Sequence, residues 1–290
     1  MTEPPAARSH SHSAISDDLS GEAFDAIAKI AYERAGLSMA RSKMPLVKSR
    51  VVRRLRDLKL SSFEDYVRLV NDPAGEEERQ RLINALTTNV SQFFRENHHF
   101  NLLRTQVLPD LLARLAGGGR IRIWSAGCSN GQEPYSIAMT LADLAPDIAD
   151  KDVRILATDV DGEVLTFARA GRYPAAMIEG VPEPLRTRFF KPLPSSAGEF
   201  LLDPSLVGMV SFKALNLHEL WPMKSAFDVI LCRNVMIYFD EPTQVRLLSR
   251  FLNVLAPQGW LMLGHSERLP AILAARFHNA GSTAFQKLRG

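Results

Sequence analysis

Residues 121–137, Ile-Arg-Ile-Trp-Ser-Ala-Gly-Cys-Ser-Asn-Gly-Gln-Glu-Pro-Tyr-Ser-Ile, constrain this chain more than any other stretch. They read as a buried strand, a turn of small residues and the start of a helix. A second strand, Val153 to Ala157, follows and leads into Asp159. An α/β domain builds a nucleoside pocket from such parts. Glycines let the backbone come close to the ligand, the helix start offers free N–H groups, and a carboxylate beyond the next strand can hold ribose hydroxyls.

The rest of the chain must supply the sheet. With 290 residues there is room for one large or two ordinary domains. No apolar run reaches the length of a bilayer span, so no direct membrane insertion is expected. Residues 1–20 are polar, carry Pro4 and Pro5, and lack the layout of a signal peptide; a disordered tail is expected there. Two distant cysteines, Cys128 and Cys232, suggest no disulfide framework and fit a reducing cytoplasm. A net charge of +3 does not demand a nucleic acid or membrane partner.

Residues 21–90 carry helical stripes: Phe24, Ile27, Ile30 and Ala31, then Val47, Val51, Leu55 and Leu58. Ser61-Ser62 before Phe63, Tyr66 and Leu69 reads as a capped helix, and another runs from about Glu76 to Leu86. A small all-helical domain is expected there. Residues 91–119 form a linker and a connecting helix, Asn97 to Leu115, stopped by Gly117-Gly118-Gly119. From residue 120 to 290 strands and helices alternate, interrupted at about 172–210 by a proline-rich insertion read as a small β-subdomain. Strands resume at Val210–Ala214 and Phe227–Cys232. A helix from Pro242 to Leu255, a strand at Trp260–Leu263 and a hairpin from Phe277 to Leu288 follow. The fold class is α/β: a Rossmann-like domain with an inserted β-subdomain, preceded by a helical domain.

Arg50, Arg53 and Arg54 lie on the face opposite the Val47/Val51/Leu55/Leu58 stripe. A solvated helix face and a docking surface for an acidic partner both fit this pattern. No aromatic residues are interleaved to stack bases. At the strand ends, Gly127-x-x-x-Gly131 alone is weak evidence. Asp159, Asn216-Leu217 and Arg233 to Phe239 strengthen it, because all fall where open α/β sheets bind ligands. No Gly-Lys-Ser or Gly-Lys-Thr follows, and Glu133 would repel a pyrophosphate. Glu133 suits a cationic ligand, such as the amino group or sulfonium of S-adenosylmethionine, or it serves as a first-turn carboxylate on the helix dipole.

Longer motifs carry a family resemblance. They are Thr88-Asn89-Val90-Ser91-Gln92-Phe93-Phe94-Arg95-Glu96, Trp124 to Ser129 with Gly131 to Ser136, Thr158-Asp159-Val160-Asp161, Leu215-Asn216-Leu217, Cys232 through Phe239, and Gly264-His265-Ser266-Glu267. From about Ala23 to Leu288 the chain resembles the CheR family, S-adenosylmethionine-dependent glutamate methyltransferases of bacterial chemotaxis receptors. The resemblance implies S-adenosylmethionine as cofactor and S-adenosylhomocysteine as product. It also implies the cytoplasmic domains of methyl-accepting chemotaxis receptors as partners, and γ-glutamyl methyl esters as the mark made in sensory adaptation. Asn89, Ser91, Arg95, Glu133, Asp159, Asn216, Leu217, Arg233 and Asn234 match cofactor-contacting positions; Ser91 stands where relatives often have Thr. Arg95 and Tyr238 match residues facing the reacting carboxylate. Arg50, Arg53 and Arg54 are expected to dock the receptor. No metal is expected, because His98 and His99 show no evident ligand partners. His265-Ser266-Glu267 reads as the cap and start of a helix, and the enzyme is expected to be a monomer.

Two other readings compete. A nucleic-acid methyltransferase would use the basic helix on phosphate, but Arg233-Asn234-Val235-Met236 replaces the Asn/Asp-Pro-Pro-aromatic motif that often holds a target nitrogen. A non-catalytic cofactor-sensing signalling protein would not need Arg95 and Tyr238.

Overall fold

The computed structural model describes residues 18–87, 89–223 and 226–289. Residues 1–17, most of the expected tail, and Thr88 lie outside the described residues. Asp18 to Ser20 do not belong to such a tail: Leu19 is buried, and Ser20 caps the first helix by accepting from the Ala23 N–H at 3.2 Å. The chain divides into two compact units between Thr87 and Thr88.

The first unit is all helical: α1 (Gly21–Ala35), α2 (Met44–Leu58), α3 (Phe63–Asn71) and α4 (Glu76–Leu86). Its core takes Phe24 and Ile27 from α1, Val47, Val51 and Leu55 from α2, Phe63, Tyr66 and Val70 from α3, and Leu82 from α4. Buried Glu78 is fully used here. The Tyr66 hydroxyl donates to Oε1 at 2.9 Å, and the Arg54 guanidinium grips both carboxylate oxygens at 2.9 and 2.8 Å. Arg50 donates to the Ala85 and Thr87 carbonyls at 2.7 and 2.8 Å, satisfying the end of α4. Two of the three arginines expected to dock the receptor thus carry hydrogen bonds inside this unit. Arg50 and Arg54 hold the helices together, and of the three Arg53 alone is exposed.

The second unit begins with one long irregular helix. α5 (Asn97–Leu102) passes through a π-type segment, Leu103–Val107, into α6 (Leu108–Ala116). Pro109 explains the break: it has no N–H for the carbonyl one turn back, so the ladder widens ahead of it. Then come β1 (Ile121–Ala126), α7 (Gln132–Leu144), β2 (Val153–Asp159) and α8 (Gly162–Ala170). The insertion supplies β3 (Arg172–Pro174), β4 (Phe190–Pro192) and β5 (Glu199–Leu202) as a separate antiparallel sheet, order β3-β5-β4. The main sheet adds β6 (Val210–Ala214), β7 (Phe227–Cys232), β8 (Leu255–Leu263), β9 (Phe277–Gly281) and β10 (Ala284–Lys287). Its order is β6-β2-β1-β7-β8-β10-β9. The first five strands pair in parallel, and β10 pairs antiparallel with both β8 and β9.

β1 and β7 are central and nearly wholly apolar. Ile121, Ile123, Trp124, Val229, Ile230 and Leu231 are fully buried, as strands covered on both faces require. The strand order reverses beside β1, with β2 on one side and β7 on the other. The crevice at their C-terminal ends is where such sheets take ligands. No helix among the described residues is long and apolar enough to cross a membrane.

Candidate active site

The turn after β1 is wound by left-handed residues: Gly127 at φ 80°, Ser129 at φ 48° and Gly131 at φ 86°. Its N–H groups face β2. Those of Gly127 and Cys128 donate to the Thr158 carbonyl at 2.8 and 2.9 Å, and that of Ser129 donates to Asp159 Oδ2 at 2.8 Å. Asp159 is 8% exposed, and its Oδ1 accepts from the Asp161 N–H at 3.1 Å. Burial raises this carboxyl's pKa, against the lowering effect of backbone N–H bonds from Asp161, Ser129 and Val160. The Asn89 side-chain amide donates to Asp161 Oδ2 at 2.8 Å, which carries the 89–96 segment to the same rim. Asn216-Leu217 reach it from the other side, because the Leu215 N–H donates to the Asp159 carbonyl at 2.9 Å. Asn216 itself accepts from the His218 N–H and donates to Glu219.

Glu133, in the first turn of α7, reaches back to β1 and to the loop after β7. It accepts from the Ser125 hydroxyl at 2.7 Å and from Arg233 Nη1 at 3.1 Å. Arg233, 6% exposed, also donates to the Arg95 carbonyl and lies 3.3 Å from Glu96 Oε2. Glu96 takes two further contacts: Arg233's charge is joined by the Asn234 side-chain amide at 3.3 Å and His265 Nδ1 at 2.9 Å, both on Oε1. Burial would raise its carboxyl, but His265, Arg233 and Asn234 outweigh that and bring it down to about 2. Phe94 and Glu96 both adopt positive φ, 55° and 56°. These anchors hold a strained turn that presents Arg95. The Arg95 side chain itself is half-buried and, among the described residues, donates to the Val90 carbonyl alone, at 3.0 Å.

One chain of contacts thus joins Arg95, Glu133, Arg233 and Asn234, while Asn89, Asp159 and Asn216-Leu217 gather at the end of β2. Ser91 is half-buried on the segment entering α5. Tyr238 is half-buried on a 3₁₀ turn, Met236–Tyr238, and its hydroxyl makes no hydrogen bond among the described residues. Cys128 and Cys232 are free and buried, and burial pushes both thiols up, away from reactivity.

Two expectations are corrected here. Glu267 starts no helix. Its side chain turns back and accepts four backbone N–H groups, from Asn234, Val235, Met236 and Gly264. His98 and His99 do have neighbours of ligand type: with Glu96 they bring one ligand atom each within 4.8 Å of one another. The Arg233 guanidinium 3.3 Å from Glu96 Oε2 already supplies that carboxylate with positive charge and opposes a cation there.

His99 makes the unit acid-sensitive. Its ring is fully buried, and Nε2 donates to the Ser282 carbonyl at 3.1 Å, leaving the Nδ1 lone pair toward Glu96 Oε2 at 3.7 Å. Burial first, then the charge of Arg233 and the neighbouring His98, lower its pKa from 6.5 to about 4. The unfolded chain therefore takes up a proton below pH 6.5 that the folded chain refuses until about pH 4. Stability must fall as pH drops through that window, by ~3 kcal/mol at most. Urea melts at pH 7 and 4.5 should show this, and His99→Gln should flatten the difference; equal slopes in the two proteins would contradict it.

An open, mostly parallel sheet of this order, with a glycine turn, a strand-end aspartate and a carboxylate–guanidinium pair at its rim, defines a Rossmann-like methyltransferase. The comparisons with known proteins take this one step further. Residues 89–285 match the model of the CheR methyltransferase SAM binding domain, and residues 22–87 match that of its all-alpha domain. The chain belongs to the CheR methyltransferase family. A probable chemotaxis protein methyltransferase of Rhizobium etli is 46% identical over 256 residues, covering 88% of this chain and 96% of that protein. Chemotaxis protein methyltransferase 2 of Pseudomonas aeruginosa is 45% identical over 85% of this chain and 86% of its own length. The chemotaxis protein methyltransferase of Escherichia coli is 41% identical over 92% and 91%.

Proposed function

We propose that this chain transfers the methyl group of S-adenosylmethionine to glutamate side chains in the cytoplasmic domains of chemotaxis receptors, as part of sensory adaptation. The observation that carries the reading is the Glu133–Arg233 pair, 3.1 Å apart, at the crevice beside β1. One anionic and one cationic group side by side match the zwitterionic amino-acid end of the cofactor. Asp159, at the end of β2, is the acceptor for ribose hydroxyls. Asn89, Ser91, Asn216, Leu217 and Asn234 complete the cofactor surface.

The chemistry asks little of the protein in proton transfer. A glutamate carboxylate is already ionised at pH 7, so it needs no general base. Its oxygen lone pair forms the new C–O bond, the C–S pair returns to sulfur, and the products are a methyl ester and S-adenosylhomocysteine. Opposite charges cancel as the methyl moves, so the protein's part is orientation and exclusion of water; good orientation alone supplies on the order of 7–11 kcal/mol. Arg95 and Tyr238 orient the incoming carboxylate. Arg95 must not grip it tightly, because a close ion pair would hold back the nucleophile.

The test is transfer of a labelled methyl to receptor cytoplasmic domains, with release of labelled methanol in base. Label on DNA or RNA instead would install the nucleic-acid reading, and cofactor binding with no transfer to any receptor would install the sensor reading. Docking through α2 narrows to Arg53, the exposed member of the three arginines. Arg53→Glu is expected to lower receptor methylation several-fold, ~5-fold for a single rim charge, with cofactor affinity unchanged. Methylation at the wild-type rate would return Arg53 to an ordinary solvated position.

A further inference from the structure

Glu267 is a buried carboxylate beside the rim that takes four backbone N–H groups. It is 5% exposed, and each oxygen accepts two N–H groups: Oε1 from Val235 and Met236 at 2.8 and 2.7 Å, Oε2 from Asn234 and Gly264 at 3.0 and 2.6 Å. Three consecutive N–H groups converge on one point only if the backbone coils tightly. It does so here: Asn234 is left-handed at φ 60°, and Val235 follows in the right-handed region at φ −112°, ψ −45°. Alternation of these two conformations makes a concave anion nest, and Glu267 fills it from within the chain.

The nest lies between neighbouring strand ends. Cys232 of β7 is in register with Leu263 of β8, so the loops that follow run side by side. Gly264 shows how close they come. A Cβ there would sit 2.7 Å from both the Asn234 N and its side-chain nitrogen, and 2.9 Å from Glu267 Oε2. The loop held this way carries Arg233 and Asn234, whose side chains reach Glu133 and Glu96.

We propose that Glu267 is a positioning residue of the methyl-transfer site: its carboxylate fixes the Arg233–Met236 loop, and through it the guanidinium that pairs with Glu133. The inference rests on the methyltransferase reading for its functional consequence and on the four N–H bonds for its structural one. Without the carboxylate, three converging N–H groups lose their acceptor in a dry site and the left-handed Asn234 loses its support. The loop must then relax, and Arg233 must leave its place.

Two variants test this. Glu267→Gln keeps the shape but turns an amide NH₂ toward N–H donors; Gly264→Ala leaves Glu267 chemically intact and pushes the loops apart. Binding of S-adenosylhomocysteine is measured by calorimetry, together with hydrogen exchange of the amides of residues 234–236. Both variants are expected to weaken binding by ~10-fold or more, the scale seen when a supporting hydrogen bond to a functional group is lost. Both should lose amide protection at 234–236 while β1 stays protected. Wild-type affinity with unchanged protection in Glu267→Gln would overturn the inference. So would protection lost evenly across the unit, which would make Glu267 an ordinary core residue. A wild-type chain that fails to bind S-adenosylhomocysteine would strike the methyltransferase reading, while the amide protection would still decide the role of Glu267.

Discussion

Gly127→Ala is expected to abolish measurable cofactor binding and to destabilise the second unit by ~3 kcal/mol or more. Two costs add at this position. The residue sits at φ 80°, where an L side chain costs roughly 1–2 kcal/mol. The added methyl would also lie 2.3 Å from Cγ2 of Val235, in the loop that Glu267 holds. Neither side can give way cheaply. The Gly127 N–H is tied to Thr158, and the Val235 N–H is tied to Glu267. A double variant, Gly127→Ala with Val235→Ala, separates the costs: it should recover the steric part and retain the backbone part. Urea denaturation of the three proteins measures both terms. A Gly127→Ala protein as stable as wild type would show that the turn and the Arg233–Met236 loop are not in contact.

Arg95→Ala is expected to cut turnover on receptor by ~100-fold or more, the penalty for a misplaced reactant, while affinity for S-adenosylhomocysteine changes little. The structure makes this a clean experiment. It is the Arg95 carbonyl that accepts from Arg233, and Glu96 that is anchored to Arg233, Asn234 and His265. The Phe94 N–H is held by the Ser136 hydroxyl at 3.0 Å. Truncating the side chain therefore removes a group whose hydrogen bond among the described residues goes to the Val90 carbonyl, and leaves the backbone of the turn in place. Steady-state kinetics beside calorimetry will separate the two roles assigned to Arg95. Parallel losses in turnover and cofactor affinity would make it a cofactor ligand alone.

The fold was legible because each element announced itself locally. β1, β2 and β7 are apolar runs, the glycine turn follows β1 directly, and the prolines of 172–210 mark the insertion. Residue type and place in the alternation pointed to Glu133, Asp159 and Arg233, which the structure brings to the strand ends. What stayed hidden depends on partners distant in sequence. A helical wheel puts Arg50, Arg53 and Arg54 on one face, but nothing in α2 shows that α4 offers Glu78 and two open carbonyls to the outer two. Glu267 follows Ser266 much as a helix-start residue would, and only the left-handed Asn234, more than thirty residues earlier, turns it into an acceptor for the neighbouring loop. The π segment was invisible for another reason: apolar spacing stays helical across Leu103–Val107, and a single proline changes the ladder without changing the pattern.

The strand order carries a consequence for how the enzyme is made. β1 pairs with β2, the next strand in sequence, but its other edge waits for β7, with Ile123 opposite Val229 about a hundred residues later. Until β7 is made, the edge of β1 that it covers, Ile121 to Ala126, has no strand to pair with. The helical unit, built from neighbours, has no such wait. Nascent chains stalled before Phe227 should therefore engage chaperones through β1, and release should coincide with arrival of β7.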